Sequence, residues 1–156
     1  MVHLWVGYNM VKKIKNIKKI ILITGGSGFI GAAIAKYLVN EGHDVIIFDN
    51  NSRGKLSRLK NINKKITFVK GDIRDYQKLI KIKKKVEIII HLAYVNGTKF
   101  FYQKPFEILY ITINGLINIL NFSKKKNVKK IFLSLNSKDF QNPFKIPTKE
   151  NEMLKI

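Results

Sequence analysis

The sequence predicts an α/β fold: a doubly wound parallel sheet of about five strands in the order 3-2-1-4-5. Three observations carry this expectation. Short, unalternated runs rich in Ile and Val recur along the chain, the pattern of parallel strands covered on both faces. Stretches of helical period separate them, so that each strand returns to the sheet through a right-handed crossover. A glycine-rich turn joins the first strand to the first helix, the place where such sheets put a ligand loop.

The lysine-rich run Lys12 to Lys19 precedes the first strand, and residues 1–19 read as a basic N-terminal extension. Ile20–Thr24 is that strand. Phe29–Asn40 reads as a helix with Ile30, Ile34, Tyr37 and Leu38 on one buried face, and Gly42 follows as its stop. Asp44–Phe48 and Ile66–Val69 are the second and third strands, Tyr76–Ile82 a short, weak helix, and Val86–Leu92 the fourth strand. Pro105–Ser123 opens with proline in the first turn and carries Leu109, Ile113, Leu116, Ile117 and Leu120 along one side. It ends in Lys124–Lys126, where cations suit the helix dipole. Lys130–Leu133 is the fifth strand and a sheet edge, residues 20–140 make up the one domain, and residues 141–156, with Pro143 and Pro147, read as a loop tail.

A chain of 156 residues, 46% hydrophobic and 26% charged, builds one core without disulfide or metal staples. The absence of cysteine excludes a thiolate zinc site and a cysteine nucleophile and suits a reducing cytoplasm, the expected location. The formal charge of +20 raises a polyanion as partner, and polyanion binding is the weakest of the readings open here. Of the basic residues 27 are Lys, and only Arg53, Arg58 and Arg74 carry the guanidinium fork that reads bases and phosphates. The excess of Lys, Ile and Asn together is what an A/T-rich coding sequence produces. The runs Lys81–Lys85 and Lys124–Lys130 lack interleaved aromatics and read as solvated helix ends, so no specific nucleic acid is expected. Val2 to Val11 is too short to span a bilayer, and no membrane partner is expected. His3, His43 and His91 share no ligand spacing, which argues against a metal site.

The chemistry concentrates in Thr24-Gly25-Gly26-Ser27-Gly28-Phe29-Ile30-Gly31. Gly26-x-Gly28-x-x-Gly31 and Gly25-x-x-Gly28-x-x-Gly31 are both glycine registers of dinucleotide loops. One glycine makes the turn, one lets the backbone approach a pyrophosphate, and one lets helix pack on strand, while the helix N-terminus faces the anion. A bare turn could carry the same glycines. The strand before, the helix after and Asp49, 18 residues past Gly31, favour the ligand loop. Asp49 is placed to accept hydrogen bonds from ribose hydroxyls and to repel a 2′-phosphate, which selects NAD over NADP, with Arg53 close enough to soften the choice.

These residues resemble the extended short-chain dehydrogenase/reductases that act on nucleotide sugars, the NAD-dependent epimerase/dehydratase family. Thr24–Gly31 is similar to the family's TGxxGxxG loop, Asp49-Asn50-Asn51-Ser52-Arg53-Gly54 to its DNxSxG segment, and Gly71-Asp72-Ile73-Arg74 to its GDIR stretch. His91-Leu92-Ala93 resembles the HLA of strand four, Gln103-Lys104-Pro105 and Asn114-Gly115 keep the spacing of the next helix, and Ile146-Pro147-Thr148 with Glu150 resembles the loop after strand five. The resemblance runs from Ile20 to Glu150. It implies a Rossmann-type fold binding NAD through Gly25, Gly26, Ser27, Gly28, Phe29, Ile30 and Gly31, with Asp49 and Asn50 at the ribose. It further implies Asp72 and the Ile73 backbone at the adenine, Leu92 and Ala93 bordering the cofactor, a nucleotide-sugar substrate, and hydride transfer. His91 reads as a strand-end packing residue.

The departures fall on the catalytic groups. Where the family has a serine or threonine and, four residues on, a tyrosine, this chain has Asn136 and Phe140, with Ser134 and Ser137 as the nearby hydroxyls. An amide cannot pass a proton as a hydroxyl can. Thr112 stands where the family has asparagine, and no Tyr-x-x-x-Lys follows strand five; Tyr8-x-x-x-Lys12 lies before strand one. The expectation is therefore a cofactor-binding portion truncated before the substrate domain, completed by another chain or a homo-oligomer. The alternative is a non-catalytic NAD-binding or interaction module.

Overall fold

A computed structural model of the chain describes residues 18–95 and 97–134. Five strands, β1 (Ile20–Thr24), β2 (Asp44–Asp49), β3 (Ile66–Lys70), β4 (Ile88–His91) and β5 (Lys130–Leu133), form a parallel sheet in the order β3-β2-β1-β4-β5. Ile21 pairs with Val45 on one side and Ile88 on the other, which sets the register of the three central strands.

Alternation along these strands sorts the apolar side chains into two cores. Ile21, Ile23, Ile47 and Ile90 face α1 (Phe29–Asn40) and the 3-10 helix Leu56–Lys65, which contributes Leu59 and Ile62. Leu22, Ile46, Phe48 and Ile89 face α2 (Tyr76–Ile80) and α4 (Pro105–Lys126), which contribute Leu79, Ile119 and Phe122. Each fully buried side chain of this size stabilises the fold by about 1.5–3 kcal/mol. The central strands are buried on both faces because helices lie on both, and β3 and β5 are less covered because each has one neighbour. The crossover from β1 to β2 uses one face and those from β3 to β4 and β4 to β5 the other. A crevice therefore opens between β1 and β4, where the winding reverses.

The structure corrects two helix faces. On α1, Ile30 is 61% and Tyr37 39% exposed, and the buried stripe is Gly31, Ala32, Ile34, Ala35, Leu38 and Val39. Small residues decide this, because a Cβ on Gly31 would lie 2.4 Å from the Gly25 carbonyl oxygen, and only the Gly31–Ala35 side fits so close to the loop. On α4 both sides are apolar, so periodicity cannot choose between them. Ile108, Gly115, Ile119 and Phe122 face inward, while Leu109, Ile113, Ile117 and Leu120 face outward and Leu116 is half-buried. A Cβ on Gly115 would lie 2.9 Å from the Ile73 side chain, so Gly115 selects the inner side. By length and composition α4 would also be able to cross a membrane, with mean hydropathy 1.2 over its most apolar stretch; here its inner side packs on the sheet.

Three boundaries differ by two residues or more. α2 stops at Ile80, β4 begins at Ile88, and α4 runs on to Lys126, capped by Asn127 in the left-handed region at φ 51°. The 3-10 helix and α3 (Thr98–Gln103) lack a helical apolar stripe in sequence; in the former, Leu59 and Ile62 recur at the three-residue period of a 3-10 turn.

Candidate functional site

A cleft of about 320 Å³ opens over the C-terminal ends of β1, β2 and β4. Its floor is set at Thr24, fully buried at the end of β1. The Thr24 hydroxyl oxygen accepts the Ala93 N–H at 3.2 Å and shares the Leu92 N–H, also at 3.2 Å, with the Thr24 carbonyl oxygen at 3.0 Å. The hydroxyl is also hydrogen-bonded to His91 Nδ1 at 2.7 Å. Burial lowers the His91 pKa to about 4, so the imidazole is neutral and ties the ends of β1 and β4 together.

The glycines of the loop have separate reasons. Gly25 has φ +71°, and a Cβ there would lie 2.7 Å from the Leu92 carbonyl oxygen, so the turn leaves β1 pressed against β4. Gly26 lies against Ile47 and Gly31 against Gly25, so both support the turn from behind. Gly28 differs from these. Its φ of −67° and ψ of 176° suit any residue, and an added Cβ would meet only the Gly25 carbonyl oxygen at 3.1 Å. The demand for glycine is smaller here than at Gly25, Gly26 or Gly31, and Gly28 lines the cleft. It is the N-cap of α1, with no side-chain cap and no acidic residue in the first turn, so the positive end of the helix dipole is left bare.

Asp49 is buried at the end of β2. Its Oδ2 accepts the Ser27 N–H at 2.9 Å and its Oδ1 the Asn51 N–H at 2.7 Å, which leaves each oxygen a second lone pair. Asn51 sits in the left-handed region at φ 59°, which asparagine tolerates. Ser27 is a buried hub: its hydroxyl donates to Asn51 Oδ1 at 2.8 Å, and its carbonyl accepts Lys55 N–H at 3.0 Å and an Arg58 guanidinium N–H at 3.2 Å. Gly54 packs directly on this hub, where a Cβ would overlap the Ser27 hydroxyl. Past β3, the Arg74 guanidinium and its backbone N–H, together with Asn50, hold the Asp72 carboxyl well below the usual carboxylate range against the opposing effect of burial.

The fold brings Gly25, Gly28, Asp49, Asn50, Asp72, Ile73, Leu92 and Ala93 to one cleft. Gly26, Ser27 and Gly31 stand behind it. Phe29, 82% exposed, and Ile30 lie outside its lining. Ser134 is exposed just past β5, away from the cleft lining, and Asn136, Ser137 and Phe140 lie outside the described residues. The Thr112 hydroxyl donates to the Ile108 carbonyl of its own helix. Sequence reasoning missed the far wall, where Phe100, Lys104, Glu107, Ile108 and Ile111 face the loop; the Arg53 guanidinium reaches across to lie 5.2 Å from the Phe100 ring centroid. Only the Gln103-Lys104-Pro105 segment had pointed to that wall. Among the described residues no group of three His, Asp or Glu side chains is arranged to hold a metal ion.

Comparison with known proteins follows this geometry. Residues 21–153 match the model of the NAD dependent epimerase/dehydratase family. The chain is 39% identical over 133 residues to a Methanocaldococcus jannaschii protein provisionally named UDP-glucose 4-epimerase, a match covering 84% of this chain and 43% of that one. It is 35% identical over 118 residues to the UDP-N-acetyl-alpha-D-glucosaminuronate decarboxylase of Bacillus cytotoxicus, covering 76% of this chain and 37% of that protein. The fold superposes on the crystal structure of Bifidobacterium longum UDP-glucose 4-epimerase in complex with NAD+ and UDP with a TM-score of 0.79 and 29% identity, over 87% of this chain and 42% of that one. The chain thus spans well under half the length of each.

Proposed function

The chain belongs to the NAD dependent epimerase/dehydratase family, and from that premise we propose that it is the NAD(H)-binding portion of a nucleotide-sugar epimerase or dehydratase. The observation that carries the reading is Gly28, at the bare N-terminus of α1 and on the cleft wall, whose backbone angles suit any residue and whose added Cβ would press on a single atom, the Gly25 carbonyl oxygen at 3.1 Å. The missing side chain leaves the cleft wall open to a ligand. A pyrophosphate, which needs close approach to backbone N–H groups and to the positive end of a helix, fits that place.

The residues then divide the work. Gly25 and Gly28 admit the pyrophosphate, the free lone pairs of Asp49 accept from the adenosine ribose, Ile73 borders the base, and Leu92 and Ala93 line the route toward the substrate side. Thr24 and His91 hold that route at fixed width. When bound, the nicotinamide supplies the acceptor and donor of a hydride exchanged with a sugar carbon. The names of the relatives support a UDP-sugar as the substrate class.

Calorimetric titration with NAD and NADP tests this. NAD should bind, and at least tenfold more tightly than NADP, because the Asp49 carboxylate repels a 2′-phosphate. No binding of either refutes the reading, and equal binding refutes the role of Asp49. A second reading, an NAD-binding module without turnover, is favoured by Asn136 and Phe140, which stand where the family carries its hydroxyl and tyrosine. An NADH-absorbance assay over a panel of UDP-sugars separates the two, since turnover excludes the second.

A further inference from the structure

Taken one at a time, the lysine runs of this chain are solvated helix ends; the fold stacks them. Residues 81–85 follow α2 and lead toward β4, while residues 124–130 end α4 and open β5. All strands of a parallel sheet start at one end. There β4 has β5 on one side and β1, preceded by Lys18 and Lys19, on the other. Backbone hydrogen bonds join the three segments: the Glu87 N–H donates to the Ile20 carbonyl, and the Lys129 N–H to the Glu87 carbonyl, both at 2.9 Å. The cleft lies over the C-terminal ends of the strands, so this lysine surface occupies the opposite end of the sheet.

Little opposes the charge gathered there. The two runs carry nine lysines, all exposed except the half-buried Lys126, and only Lys129 among them makes an ion pair, with Glu87 at 3.5 Å. Glu87 is the one acid in the three segments, and it is already engaged: its Oε1 accepts Lys19 Nζ at 3.1 Å and its Oε2 the Ile20 N–H at 3.2 Å. The helix dipole accounts for the cations that end α4, but residues 81–85 follow a helix of only five residues and have no such cause. Like charges held together cost stability, and an anionic partner relieves that cost.

The side chains also select the kind of anion. Residues 81–87 and 124–130 contain no aromatic ring on which a base could stack and no arginine to read a base edge. Their apolar members Ile82, Val86 and Val128 are buried or half-buried, so nothing is offered to the acyl boundary of a bilayer. What remains is a set of ammonium point charges suited to phosphates. The starts of three adjacent parallel strands span about 10 Å, a length over which duplex nucleic acid presents about six phosphate charges.

We propose that the lysine end of the sheet, where β1, β4 and β5 begin, docks the phosphodiester backbone of duplex nucleic acid without regard to sequence, while the cleft at the other end stays open. The inference does not rest on the NAD-binding reading. Fluorescence anisotropy of a labelled DNA duplex of about 20 base pairs, titrated with the full chain, tests it. With about three or four phosphates neutralised, raising salt from about 50 to about 200 mM should weaken binding about 40- to 150-fold. Two duplexes of unrelated sequence should bind within threefold of each other. Lys84→Glu with Lys125→Glu, one reversal in each run, should cost tenfold or more. The same change of charge placed elsewhere, Lys36→Glu with Lys60→Glu on α1 and the 3-10 helix, should stay within threefold of the wild type. Equal losses in the two variants would reduce the effect to the general field of a chain of charge +20 and overturn the proposal. Tighter binding to vesicles of phosphatidylcholine and phosphatidylserine overturns it as well, as does displacement of the duplex by saturating NAD, which would put the nucleic acid in the cleft. Failure of the wild type to bind the duplex at the lower salt does so without any variant, so a substitution that unfolds the chain cannot protect the proposal.

Discussion

Replacing Gly28 and Gly31 in turn by alanine separates the ligand's demand for glycine from the fold's. At Gly31 a new Cβ would lie 2.4 Å from the Gly25 carbonyl oxygen and 2.7 Å from Gly26 Cα. Both are backbone atoms held by the β1 end, so relief requires the loop to move. Overpacking of this kind costs about 3 kcal/mol, and alanine recovers up to about 1 kcal/mol of helix propensity. The net loss of about 2 kcal/mol lowers Tm by roughly 4–8 °C for a chain of this size. At Gly28 the backbone angles already suit alanine, and the one tight neighbour is the Gly25 carbonyl oxygen at 3.1 Å. Stability should fall by only about 1 kcal/mol. The methyl group would nonetheless stand between α1 and a bound pyrophosphate, and a 10- to 100-fold loss of NAD affinity, about 1.4–2.8 kcal/mol, is expected. Thermal melts and calorimetric titration of both variants measure the two effects. A folded Gly28→Ala protein that binds NAD within twofold of the wild type, or a Gly31→Ala protein that melts with it, refutes the reasoning.

Acid should weaken the fold in two windows. The His91 pKa of about 4 lies below its unfolded value of about 6.5, so protons favour the unfolded chain. Its contribution is complete above about pH 6.5 and drains away as pH falls toward 4, and His91→Asn should flatten Tm against pH over that interval; parallel curves would show that His91 does not titrate with unfolding. Asp72, with its pKa depressed by the Arg74 fork, contributes fully above about pH 3.9 and loses that contribution below it, so Asp72→Asn should flatten the curve only at the more acidic end. The outward side of α4, with Phe106, Leu109, Tyr110, Ile113, Ile117 and Leu120 all exposed, forms an apolar seam of the kind that drives association. Wild-type protein should elute from size-exclusion chromatography larger than a monomer, and Ile113→Glu with Ile117→Glu should shift it to monomer without lowering Tm. Identical elution of the two proteins counts against the seam.

Five short Ile- and Val-rich runs, the helical stretches between them and the glycine loop at the end of the first were enough to read the strand order and to bring Gly25, Gly28 and Asp49 to the cleft, while Asp72, Ile73, Leu92 and Ala93 were named only through the family resemblance. These features are local: strand and helix period follow from backbone geometry, and a tight turn before a helix selects glycine wherever it occurs. Which side of α1 and α4 is buried was not legible, because both helices carry apolar residues on two sides. That choice was made by the close approach of Gly31 to Gly25 and of Gly115 to Ile73, contacts between residues brought together by the crossovers. The hydrogen bonding of Asp72 was equally hidden. Its sequence shows an acid two residues before an arginine, and only the turn after β3, with Asn50 arriving from the end of β2, directs four donors onto one carboxylate. The sequence by itself determined the sheet, the loop and the acid that follows it, since each depends on neighbours in the chain. Tertiary structure alone decided the far wall of the cleft and the division of labour among its polar groups, because hydrogen-bond capacity is consumed in space and not along the chain.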